Sequence, residues 1–297
     1  MAENNSLQAL IKSKSKAGEK IFSTILNDAL KKKAESIHFC PNEDELILFY
    51  RQNKTLKKIA KLPNTWHKIL SQLLKKIANL DIQDNILQEG RFKIALNKKI
   101  QRFSVFFWPT VTQEKIILKL HKEEDLKNLD FSPKDLKSLQ TILDKKTGSP
   151  RGVAGLILVS QMRPNEKNQV FYALLKELNK DELDIYSLED FVDYSILGIN
   201  QQQLKNWHDE TLGESIHKII KHDADVLALG NISGPLALEQ IKNALALGTL
   251  VIAYLPNNNY QDLFSQLENW GFKTPALKKY LKTIIIKDKD KLALKNN

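Results

Sequence analysis

Between Gly155 and Leu178 an apolar run, Gly155 to Ser160, gives way to a polar loop with Arg163, Pro164, Glu166, Lys167 and Asn168, and then to a helical repeat. A lysine between a strand and a helix is the residue that meets phosphate in the pattern G-x-x-x-x-G-K-[ST]. The glycines of that pattern let successive N–H groups converge on an anion, and its hydroxyl holds magnesium. The pattern would need Gly at 161 and 166, Lys at 167 and Ser or Thr at 168; the chain has Gln161, Glu166, Lys167 and Asn168. Only the outline is there, and one lysine in such a place is by itself a weak signal. Glu166 beside a triphosphate would add a repulsion of about 4 kcal/mol at roughly 4 Å with an effective dielectric near 20. Side chains at 161 and 166 restrict the positive φ angles that such loops use, and Pro164 offers no N–H.

Other residues able to do chemistry read as structural. His38 lies in an apolar alternation and is expected to pack or to face solvent. Cys40, the single cysteine, is expected to act as a small buried hydrophobe. His208, His217 and His222 match no metal-ligand spacing, so no metal site is expected. Asp223 and Asp225 fit a turn before a strand. Phe106, Phe107 and Trp108 read as a strand end packed against a domain interface.

The elements that position the loop divide the chain in two. Residues 1–18 are polar, with alternating lysine and serine, and read as a flexible tail. A helix from Ile21, strands at Glu35–Phe39 and Leu46–Arg51, an amphipathic helix over Leu62–Leu80, and strands at Phe92–Leu96, Ile100–Phe107 and Lys115–Leu120 form a small α+β domain over 19–122. Residues 123–150 hold a linker and one helix, Pro133–Leu143. From 151 to 297, apolar runs at 155–160, 184–188, 226–229 and 250–254 alternate with helical stretches near 168–179, 210–221, 235–246 and 260–269. That order predicts an α/β domain with a mainly parallel sheet covered on both faces, whose ligands bind beyond the carboxyl ends of the strands.

Composition narrows the class. The 297 residues carry a formal net charge of +10, and residues 1–125 hold 23 basic against 14 acidic side chains while the rest hold 22 against 21. Such asymmetry marks either a lysine-rich solvated surface or a face that meets phosphate, an acidic partner or an anionic membrane. One cysteine excludes an internal disulfide, and the apolar runs fall far short of the roughly 20 residues that span a bilayer. The polar N-terminus lacks the apolar stretch of a signal peptide, so a cytoplasmic protein is expected.

The Gly155–Leu178 segment, together with Ile25–Leu30, Ser36–His38, Ala78–Ile82, Gly90-Arg91-Phe92-Lys93, Trp108-Pro109-Thr110, Leu188–Tyr194, Gly198–Gln202 and Asp223–Gly230, resembles the type II secretion and type IV pilus assembly ATPase family over about residues 20–286. The resemblance implies a PAS-like N-terminal domain and a RecA-like P-loop NTPase domain with nucleotide held between them. It also implies a ring of six subunits, and a secretion or pilus machine at the inner face of the plasma membrane as partner. The family's large N-terminal extension and cysteine-rich zinc insertion are expected to be missing. Position by position, much of the family's chemistry is changed. Asn231 stands where the catalytic Glu would be, Ser233 and Gly234 replace an Arg and an Asp, and Thr249 and Pro256 replace two histidines. Glu189 and Asp190 of the acidic motif are kept, as is Arg91 of the arginines offered to nucleotide; the later arginine position falls on Ser104, with Arg102 two residues away.

Three readings follow. In the first, the chain is a family member that does not hydrolyse ATP and serves as a structural or regulatory subunit, in a homo-hexamer or a mixed ring with an active paralogue. In the second it remains an ATPase, with ATP and Mg as cofactors, Lys167 and Arg91 on phosphate, the Asn168 carbonyl on magnesium, and Glu189 or Asp190 positioning water. In the third, the basic N-terminal part, with Lys31–Lys33, Lys57, Lys58, Lys75, Lys76, Lys98 and Lys99, binds nucleic acid or a membrane surface, although nucleic acid is not the expected partner.

Overall fold

The computed structural model describes residues 16–53, 55–83, 86–96, 99–123, 125–144, 154–179, 183–204, 208–257, 259–288 and 291–295. The chain divides into two compact units, Met1–Lys122 and Glu123–Asn297. Most of the expected tail, residues 124 and 145–150 of the expected linker, and residues 151–153 at the start of the expected second domain lie outside the described residues; Lys16–Gly18, expected in the tail, are already helical.

The first unit contains α1 (Lys16–Lys31), β1 (Ser36–Pro41), β2 (Glu45–Gln52), β3 (Thr55–Pro63), α2 (Thr65–Ile77), β4 (Gln88–Leu96), β5 (Lys99–Trp108) and β6 (Lys115–His121). Its sheet has the order β3-β2-β1-β6-β5-β4, and every neighbouring pair is antiparallel. Strand alternation sends Ile37, Tyr50, Val105 and Leu118 to one core with Phe22, Ile25 and Leu26 of α1 and Leu70 and Leu74 of α2. The Tyr50 hydroxyl donates to the Ile25 carbonyl at 2.9 Å, which fastens α1 to the sheet. β3 corrects the sequence expectation, which began the second helix at Leu62. Its lysine-rich segment has few buried side chains because it is an edge strand, where charge discourages pairing with another chain.

Beneath α2 lies a buried polar cluster. Lys75 pairs with Glu114 at 2.9 Å, their side chains only 4% and 9% exposed. Ser71 donates to the same carboxylate, His67 Nε2 donates to the Glu114 carbonyl at 2.7 Å, and the Lys75 ammonium sits 5.2 Å from the centre of the Phe107 ring. Lys75 is therefore not the surface cation that the basic-face reading required. Phe106 to Trp108 also divide, with Phe107 in the core, Phe106 under the Lys119 ammonium and Trp108 57% exposed. Cys40 is half-buried, and its environment raises its thiol pKa, mainly through burial.

The second unit contains a 3-10 turn (Leu126–Asn128), α3 (Pro133–Leu143), β7 (Gly155–Val159), α4 (Pro164–Leu178), β8 (Ile185–Glu189), β9 (Asn200–Gln203), α5 (Asp209–Ile220), β10 (Val226–Leu229), α6 (Pro235–Ala246), β11 (Leu250–Tyr254), α7 (Tyr260–Asn269), α8 (Thr274–Tyr280), β12 (Leu281–Asp288) and β13 (Lys291–Lys295). The sheet order is β13-β12-β7-β11-β10-β8-β9. β12, β7, β11, β10, β8 and β9 pair in parallel, and β13 joins the edge antiparallel to β12. Alternate residues feed two cores: Leu156, Leu158, Leu227 and Leu229 pack with α5, α6 and α7, while Ile157, Val159, Val226 and Ala228 pack with α3 and α4. Burial on both faces is why these strands read as unbroken apolar runs. No described helix is long and apolar enough to cross a membrane.

Candidate functional site

The carboxyl ends of β7, β10 and β8 bring together the loop after Ser160, the segment from Gly230 and the residues after Glu189. The first loop is firmly held. Ser160 Oγ donates to the Leu255 carbonyl at 2.7 Å, and the Tyr254 hydroxyl donates to the Met162 carbonyl at 2.8 Å. Gln161 adopts φ +55°, so the backbone conformation that favours glycine is present without one. A side chain in that region costs about 1 kcal/mol, which the surrounding hydrogen bonds offset.

α4 starts at Pro164, four residues before the sequence-based expectation. Proline at the first helical position has no N–H to leave unsatisfied and its φ is already helical. Glu166, in the third position, reaches back so that its carboxylate accepts the Arg163 backbone N–H at 3.1 Å, Arg163 Nη2 at 2.8 Å and Lys287 Nζ at 2.8 Å. Partial burial opposes its charge, but the hydrogen bonds from Arg163 and Lys287 outweigh this and bring its pKa down to about 2. Lys167, 9% exposed, turns toward β10, where its ammonium donates to the Gly230 carbonyl at 3.1 Å and lies 5.2 Å from the centre of the Tyr254 ring. Asn168 Nδ2 donates to the Asp193 carboxylate at 2.5 Å.

Glu189 is enclosed rather than displayed, at 3% exposure. Its carboxylate accepts from the Tyr172 hydroxyl at 2.5 Å, Ser187 Oγ at 2.7 Å and Gln201 Nε2 at 3.1 Å. Burial raises its pKa against the pull of these donors. Asp190 is exposed and accepts the Phe191 N–H at 3.0 Å. Asn231 Oδ1 and Ser233 Oγ, just beyond β10, are buried and make no hydrogen bond to the described residues. Thr249 lies at the opposite, amino end of β11, where its hydroxyl donates to the Ala224 carbonyl. Arg91 lies on the exposed side of β4 in the other unit, in register with Ser104. Among the described residues no group of three or more His, Cys, Asp or Glu side chains is placed to hold a metal ion.

A second helix start here also holds a protein carboxylate. Asp209 of α5 accepts the N–H groups of Leu236 at 2.9 Å and Ala237 at 2.8 Å, so it caps α6 from a neighbouring element. Gly234 is required for this approach, since a Cβ there would lie 2.6 Å from an Asp209 carboxylate oxygen. Asp209→Ala is expected to lower the stability of this unit by about 1–2 kcal/mol, measured as a shift in the urea midpoint with an unchanged slope.

Lys167, Asn168, Glu189 and Asp190 thus lie at the same edge of the sheet, but hydrogen bonds to protein groups engage all four. Lys287 and Asp209 escape sequence reasoning because each meets its partner far along the chain; only the early position of Asp209 in a helix hinted at a cap.

The comparisons agree with this architecture. A family model described as type II/IV secretion system protein matches residues 12–292. The chain is 27% identical over 260 residues to the type IV pilus assembly ATPase PilB of Myxococcus xanthus, covering 86% of this chain and 45% of that protein. It is 26% identical over 257 residues to the type II secretion system protein E of Pectobacterium carotovorum, covering 85% and 50%. The chain therefore spans about half the length of the curated relatives it matches. The Legionella pneumophila ATPase DotB superposes with a TM-score of 0.68 at 12% identity over 92% of this chain and 79% of that one, a likeness of fold. With nearly its whole length matched, the chain belongs to the type II/IV secretion system protein family.

Proposed function

We propose that this protein is a secretion or pilus motor-family subunit that does not hydrolyse ATP and serves a structural or regulatory role in the assembly. The observation that carries the reading is the state of the loop after β7, where Glu166 places a carboxylate against Arg163 and Lys287 while Lys167 spends its ammonium on the Gly230 carbonyl. These residues fit a magnesium nucleotide poorly. An incoming phosphate would meet a carboxylate, the lysine would have to leave its present acceptor, and Asn168 brings an amide already donated to Asp193 where a hydroxyl would hold the metal. Asn231, at the position of the family's catalytic Glu, is no general base at neutral pH.

On this reading residues 19–122 form a PAS-like domain and residues 151–297 a RecA-like one, joined by the 123–150 linker. The subunit takes its place in a hexamer, alone or mixed with an active paralogue, on the cytoplasmic face of the inner-membrane machinery. Isothermal titration and a phosphate-release assay with magnesium ATP test it. The expected result is no saturable heat and no release above background, whereas tight binding with steady turnover would refute the proposal.

A further inference from the structure

We infer that residues 191–197 form a strap that opens as one piece from the edge of the second unit's sheet while β8 and β9 stay paired, uncovering the carboxyl groups of Glu189 and Asp193.

The strap and the strands on either side of it are fastened differently. β8 and β9 meet through a parallel backbone ladder, continued by the Leu204 N–H on the Glu189 carbonyl at 2.9 Å. Between the two strands, backbone groups meet side chains instead. Gln203 Oε1 accepts the Val192 N–H at 3.3 Å, and the Tyr172 hydroxyl accepts the Asp193 N–H at 2.8 Å. Gln201 Oε1 accepts the Ile196 N–H at 2.6 Å, while its Nε2 donates to the Tyr194 carbonyl at 3.2 Å and to the Glu189 carboxylate at 3.1 Å. Asn179, just past α4, donates to the Leu197 carbonyl at 2.7 Å. Each such bond is modest in net strength, and segments held in this way open locally without global unfolding.

The closed form is the resting one, because Val192 and Tyr194 are buried and the Tyr194 ring centre lies 4.5 Å from that of Tyr172. Two features favour opening. Glu189 and Asp193 are both buried, and their carboxylates oppose each other. At the outer end Leu197 is 96% exposed, and Gly198, at φ +89°, provides a pivot where a Cβ would lie 2.8 Å from Asn179 Oδ1. Because Asn168 donates to Asp193 at 2.5 Å, opening also releases a side chain in the first turn of α4.

Amide hydrogen exchange of the full chain is the test. In the native chain Val192, Asp193 and Ile196 are expected to share one protection factor, at least about tenfold below that of the β8 ladder. Gln201→Ala should speed all three together by about tenfold or more and leave β8 and the Leu204 amide unchanged. Val192 reports the common opening, since its N–H meets Gln203 rather than Gln201. Acceleration of Ile196 alone overturns the inference, and so does equal acceleration of β8 and Leu204, which would make strap and sheet one unit. Asn179→Ala, which lies outside the Glu189 network, supplies a second measurement even where Gln201→Ala fails to fold. It should raise carbodiimide labelling of Asp193 several-fold over the native chain, and unchanged labelling overturns the inference.

Discussion

Glu114→Ala is expected to destabilise the N-terminal unit by about 3–5 kcal/mol, enough to leave a marginal domain largely unfolded. The cause is the charge that remains rather than the bond that is lost. Lys75, whose side chain is 4% exposed, would keep an ammonium without its counter-ion, and the Ser71 hydroxyl would lose its acceptor. Urea unfolding followed by far-UV circular dichroism measures the shift. The double change Lys75→Met with Glu114→Leu, which removes both charges, should recover most of the loss, because a buried pair is often no better than apolar packing of similar volume. Equal instability of the double and single variants would assign the effect to packing.

Acid should destabilise the same unit well above the range where carboxylates titrate. His38, 6% exposed, hydrogen-bonds with Ser36 through Nε2 at 2.9 Å. Burial, with help from the positive charges of Lys115 and Arg51, lowers its pKa to about 4. The unfolded chain takes up this proton near pH 6.5 while the folded one resists until about pH 4. Stability is therefore fully present above pH 6.5 and falls as the pH drops toward 4. The shift is worth on the order of 2 kcal/mol. His67, whose pKa burial also lowers, acts in the same direction. Glu166 titrates elsewhere: its depressed pKa means that its contribution to the second unit is present above about pH 4.5 and lost only as the pH falls toward 2. Stability measured from pH 7 to 4 should show the slope in the native chain and a shallower one in His38→Gln; identical slopes would remove His38 from the account.

The second unit was largely legible because strands buried on both faces leave long apolar runs. Val226–Leu229 and Leu250–Tyr254 fall where hydrophobicity places them, as do the helices at Pro133–Leu143, Pro235–Ala246 and Tyr260–Asn269. β9 was invisible because Asn200–Gln203 holds no apolar or β-branched side chain and earns its place by parallel pairing with β8. β3 was masked by lysines, whose aliphatic stems and charges suit an edge strand but give no alternating pattern. The residue types of the loop after Ser160 could be read from the sequence, yet the fate of its charges could not. Lys287 lies 121 residues from Glu166, and only the folded sheet brings them together. The buried ion pair did leave a trace: His67, Ser71 and Lys75 recur every four residues on the inward side of α2, a polar stripe that asks for a partner.

The Asp209 cap has a thermodynamic consequence. A helix start that relies on a bound anion is stabilised in proportion to the logarithm of that anion's concentration, so its melting point follows the supply of ligand. At α6 the anion is covalently part of the chain, and its effective concentration never changes. The stability of this helix start therefore does not vary with the concentration of any free anion.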